Sequence, residues 1–168
     1  MSIQKVNGHI DAIDRKLGKS LKIAQKGNDL KLGDVVKLGR KTNSICSEIN
    51  KSVKEYDGAT PSAEEAASIL KKMEKVVDLT EKELDLLVKS KARIDELHLG
   101  GLVKRNLSKS QEAGVAFSKQ LLEKAPADLK DSATALEDRR SKAFEKAVSA
   151  FANAQGGEEQ ADEEDDSD

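Results

Sequence analysis

Few residues in this 168-residue chain are of the types that carry chemistry. Its two histidines, His9 and His98, have no cysteine or second histidine at metal-ligand spacing, and each reads as a residue of a helix surface or helix end. Cys46, the single cysteine, cannot form an internal disulfide; beside Ile45 and Ile49 it reads as a small, partly buried filler rather than a nucleophile. The paired acids Glu64-Glu65 and Glu81-x-Glu83 are where general acid–base work would be sought. Both pairs open a helical stretch, where capping and the helix dipole already account for them. The chain has no Gly-x-Ser-x-Gly elbow and no phosphate-binding glycine loop. Two sequons, at Asn50 and Asn106, could accept glycans only in the secretory pathway. The expectation is a non-enzyme with no catalytic residue, no metal site and no cofactor.

The elements that position these residues are helices. Ile3, Val6, Ile10, Ile13, Leu17, Leu21 and Ala24 recur in steps of three and four, the stripe of an amphipathic helix. After a break from Gly27 to Asp34 the rhythm returns as Val35, Leu38, Thr42, Ile45, Ile49, Val53 and Tyr56, and Gly58 and Pro61 end it. Ser62-Ala63-Glu64-Glu65 is a capping box opening a third helix through Ile69, Met73 and Val77. Thr80-Glu81-Lys82-Glu83 is placed to open a fourth through Leu84, Leu87, Val88 and Leu97, and the sequence leaves open whether the third and fourth are one kinked rod. Gly100-Gly101 breaks the chain before a fifth helix from Leu102 to Lys124, and Pro126 suits the first residue of a sixth through Leu136, Phe144, Val148 and Phe151. No segment alternates with period two. The fold class is all-α, a single bundle of five or six amphipathic helices over residues 1–153 with a disordered acidic tail over 154–168.

Charge supports that boundary. The net formal charge of -2 is made of a tail with eight acids and no base from Ala154 onward, and a body with 29 basic against 23 acidic residues. Residues 1–56 supply the surplus, with 12 bases and six acids. The bases are interleaved with acids and lack aromatic stacking partners, so no nucleic-acid partner is expected. The tail reads either as a solubiliser or as a screen over the basic first third, which salt would weaken. No apolar run approaches the roughly 20 residues of a transmembrane helix. Met1 to Lys5 lead straight into an amphipathic stripe rather than a signal peptide, which reads as cytoplasmic if the chain is complete.

An aliphatic bundle with three Phe and one Tyr can have a solid core, or it can part slightly around an apolar guest. Gly8, Gly18 and Gly114 lie inside helical stretches, where each costs about 1 kcal/mol relative to alanine, which suggests close approach or reserved space. Phe117, Phe144 and Phe151 lie on the last two helices at positions that can share a face, as core filling or as pocket wall.

Three stretches go further. Asp34-Val35-Val36-Lys37-Leu38 through Ile49-Asn50 to Tyr56-Asp57-Gly58 resembles the second helix of the fungal hydrophobic surface binding protein A family, also described as cell wall galactomannoproteins. Lys89 to Ile94 followed by Gly100-Gly101-Leu102-Val103 is similar to the family's middle segment, and Phe117 to Leu129 continuing to Phe144-Glu145-Lys146-Ala147-Val148 to its closing helices. The likeness covers most of 2–152. It implies a secreted or wall-associated helical protein that takes up long-chain fatty acids or similar lipids, or adsorbs to hydrophobic surfaces. The high charge density favours an enclosed pocket over adsorption. The implied apolar lining is Ile69, Met73, Val77, Leu84, Leu87, Val88, Leu107, Phe117, Leu121, Phe144, Val148 and Phe151, with Ser110, Gln111 and Ser118 as polar partners for a lipid head group. The alternative is a structural or protein-interaction bundle with a solid core, which the absence of an apolar cavity of some hundreds of Å3 would favour.

Overall fold

The structure is a computed structural model and describes residues 2–161. Among these residues there are six α-helices, five of them long, and no strand: α1 Ser2–Ala24, α2 Leu32–Asp57, α3 Ala63–Lys89, the short α4 Lys91–Glu96, α5 Gly100–Lys124 and α6 Lys130–Ala150. Each long helix turns its apolar stripe inward, so that Val6, Ile10 and Ile13 of α1 and Val35, Leu38 and Tyr56 of α2 are buried. The long helices close into a ring in the order α1, α2, α5, α6, α3 and back to α1. Five stripes facing one axis bury the interior from every side.

Local signals fix the ends of these helices. Ser62 caps α3 reciprocally: its hydroxyl accepts from the Glu65 N–H at 3.1 Å and its own N–H donates to the Glu65 carboxylate at 2.9 Å. The second candidate box opens nothing. Thr80 instead donates its hydroxyl to the Val76 carbonyl one turn back at 2.8 Å, and α3 runs unbroken past it to Lys89. The break comes at Ser90, between α3 and α4. Pro126 leads into a single 3-10 turn, Ala127–Leu129, before α6 begins.

The packed body is longer than the expected boundary at 153. Residues 154–161, assigned from composition to the tail, return along the start of α5, with a 3-10 turn at Glu158–Gln160 and Ala161 wholly buried. The Leu102 N–H donates to the Gly156 carbonyl at 2.9 Å, satisfying one of the free amides at the α5 N-terminus. At the far end the Ala161 carbonyl accepts from Asn43 at 2.5 Å and from Lys109 at 2.9 Å. Gly101 makes this contact possible, because a Cβ there would collide with the Glu158 carboxylate and stand 2.7 Å from the Gly156 nitrogen. Composition missed this segment because a few buried backbone groups and one alanine hold it, while its charges face outward. The rest of the tail and its proposed screening role lie outside the described residues.

Candidate functional site

The buried apolar residues divide into two clusters. One holds Val6, Ile10, Ile13, Ile69, Met73 and Phe117 among others, and the second holds Val35, Leu38, Leu84, Leu102 and Phe144. A cavity of about 100 Å3 spans the seam between them, lined by residues of all five long helices. That is less than the some hundreds of Å3 that mark a ready-made pocket. The lining is chiefly aliphatic and aromatic, with a minority of polar side chains at the seam: Thr42, Thr80, Glu83, Asn106, Ser110, Ser118, Glu137 and Arg140.

Ten of the fifteen residues expected at a lipid site meet in this cavity: Met73, Val77, Leu84, Leu87, Leu107, Phe117, Leu121, Phe144, Ser110 and Ser118. The other five do not line it. Ile69 and Phe151 are wholly buried in the two clusters, away from the seam. Val88 and Val148 pack on the outside of the second cluster, and Gln111 lies one residue past Ser110, turned off the cavity face of α5. Each of the four apolar misses falls on a stripe, but a stripe is wider than the strip of wall that a central cavity exposes. The glycines divide too. Nothing lies within 4 Å of a Cβ at Gly8 or Gly18, so neither serves close approach, whereas a Cβ at Gly114 would meet the Arg140 guanidinium.

Lining residues were missed on every long helix, Val76, Val103, Ala133 and Leu136 among them. Ile13 and Leu17 of α1 and Val35, Leu38, Gly39, Thr42, Ile45 and Ile49 of α2 complete the wall, because the closed ring brings the first two helices as near the axis as the last two. Glu83, Glu137 and Arg140 are the charged members. The signal was present: Glu83 falls in the α3 stripe between Val76 and Leu87, and Arg140 lies four residues after Leu136 and four before Phe144. A charge in register with an apolar stripe marks either a buried polar site or a break in the stripe.

Glu83 accepts a hydrogen bond from the Ser20 hydroxyl of α1 at 2.5 Å, and both residues are buried. Burial pushes its carboxyl up to about 7, against the opposing pull of the Ser20 hydrogen bond. Arg140 is 6% exposed. It holds the Glu137 carboxylate with Nε and Nη2 at 2.8 and 2.7 Å, and its Cζ lies 5.3 Å from the centre of the Phe144 ring. Cys46 is buried, with Sγ 3.7 Å from the Ser110 hydroxyl, and His9 pairs with Glu48 at 2.7 Å on the α1–α2 face. Among the described residues no three His, Cys, Asp or Glu side chains gather as a metal site would require, and no helix is long and apolar enough to cross a membrane.

A closed ring of amphipathic helices around an apolar cavity with a sparse polar seam defines the class: a helical bundle built to enclose a small apolar volume. The chain belongs to the hydrophobic surface binding protein A family, whose sequence profile matches residues 3–123. No curated protein sequence matches it. Among solved structures it is similar to ligand-binding domain 1 of the Penicillium marneffei MP1 protein complexed with arachidonic acids. That likeness has a TM-score of 0.80 at 22% identity, over 90% of this chain and 99% of that one. Similar too are AFMP4P in complex with palmitic acid (TM-score 0.83, 19% identity, 89% and 99% covered) and ligand-binding domain 2 of MP1 in complex with arachidonic acids (0.82, 21%, 92% and 97%). At these identities the likeness establishes the shared fold.

Proposed function

We propose that the chain binds a long-chain fatty acid or similar lipid, without catalysis, in the cavity between its helices. The observation that carries this reading is the seam cavity itself: an apolar space reached by every long helix, in a fold whose solved examples hold arachidonic or palmitic acid. Burial of each methylene contributes about 0.8 kcal/mol, so an acyl chain of a dozen or more carbons has ample driving force. Because the cavity is about 100 Å3, an acyl chain enters by parting neighbouring helices of the ring.

Organic-solvent extraction of the purified protein, followed by mass spectrometry, is expected to recover a fatty acid. Titration with a fluorescent fatty acid is expected to show saturable binding that palmitate reverses. An empty extract together with no displacement at micromolar ligand sinks the reading. The small cavity favours one alternative, a bundle with an essentially filled core that binds a protein partner through its surface, and that same negative result would support it.

A further inference from the structure

Arg140 carries a polar group that an apolar pocket does not explain. With Nε and Nη2 engaged by Glu137, its Nη1 is buried and has no hydrogen-bond partner. Guanidinium stays charged at any physiological pH, so Nη1 is a permanent donor of two protons held out of water. Buried donors of that kind are rare in stable interiors unless something is meant to meet them. The place where Nη1 lies is also prepared. A Cβ at Gly114 of α5 would come within 2.6 Å of Nη1 and 3.1 Å of Cζ, so this glycine is the notch in which the guanidinium sits. Ser110 and Ser118 lie four residues to either side of Gly114 on the same face of α5, and all four residues line the cavity.

We propose that Arg140 in the Gly114 notch, flanked by Ser110 and Ser118, is the head-group site of the cavity and reads a free carboxylate, so that the protein takes a fatty acid in preference to its ester or alcohol. This rests on the lipid-binding reading above. One carboxylate oxygen accepts from Nη1 in a charge-assisted hydrogen bond, and the serine hydroxyls donate to the remaining lone pairs. A methyl ester has no charge to offer and places a methyl group against a buried cation. Glu137 already balances the single charge of the guanidinium, and its side chain is 31% exposed, so the site suits a singly charged carboxylate better than a phosphate dianion.

The test compares palmitate, methyl palmitate and hexadecyl phosphate as displacers of a fluorescent fatty acid, at constant pH and salt. Wild type is expected to bind palmitate about 10- to 100-fold tighter than the ester, the range of one charge-assisted bond. In Arg140→Met and in Gly114→Ala that ratio is expected to collapse towards one. Thermal unfolding checks that each variant is folded, and Gly114→Ala decides the matter if Arg140→Met is not, since its added Cβ meets only a flexible side-chain end. Equal binding of acid and ester by wild type, a ratio that survives in a folded variant, or a preference for hexadecyl phosphate over palmitate each overturn the proposal alone. Failure of wild type to bind any of the three overturns the lipid-binding reading and the proposal together.

Discussion

Glu83 shows what a single charge does inside an aliphatic bundle. Its folded carboxyl titrates at about 7, above the ordinary 4.5, so between those values the native state holds a proton that the unfolded chain has lost. The sign follows: the stabilisation is complete below about pH 4.5 and is lost as pH rises through about 7, in total roughly 3 kcal/mol at 1.36 kcal/mol per unit. Urea unfolding of wild type and Glu83→Gln across pH 4 to 8 isolates it, because other carboxylates cancel in the difference. The glutamine variant is expected to gain on wild type steadily from pH 4.5 to 7 and to be the more stable protein at pH 8; a difference that stays flat would remove Glu83 as the cause. Glu83 and Arg140 stand in register with apolar stripes, but burial is what gives them meaning, and burial depends on which helix faces them. The same limit separates Gly114 from Gly8 and Gly18: all three look alike in sequence, and only Gly114 has a guanidinium opposite it.

At the scale of elements, the start of α5 and the returning segment 154–161 act as one unit. Gly101→Ala pushes a methyl group against the Gly156 backbone, which the Leu102 N–H holds in place, and overpacking of this kind costs about 1–3 kcal/mol. The variant is expected to unfold at correspondingly lower urea and to lose hydrogen-exchange protection at the Leu102 amide, with α1 and α3 amides protected as before; retained protection at Leu102 would show that the segment accommodates the methyl. Helix identities and most ends were legible because they depend on local rules, such as the Ser62 capping box and the glycine pair that opens α5. The unbroken α3 was not. Thr80 satisfies the sequence pattern of a cap, yet nothing around it forces the chain out of helix, so its hydroxyl turned back onto Val76.

For the whole molecule, the closed ring couples ligand to fold. A lipid that binds only the folded state stabilises it by about 2.7 kcal/mol at a free concentration one hundred times its Kd. Thermal unfolding with rising palmitate is therefore expected to shift upward in proportion to the logarithm of free ligand, while buffer controls without palmitate leave it unchanged; a Tm indifferent to palmitate contradicts an interior site. The sequence by itself determined the all-α class, the apolar stripes and the absence of strand periodicity, since these follow from residue spacing along one helix at a time, and the order of three motifs along the chain carried the resemblance to the family. The tertiary structure decided the rest. The order of helices around the ring placed α1 and α2 in the cavity wall and left Ile69, Val88, Val148 and Phe151 out of it. It also set Arg140 over Gly114 and drew residues 154–161 onto α5. These are contacts between residues far apart in the chain, and a periodicity reports the face a helix turns inward without saying what it meets there.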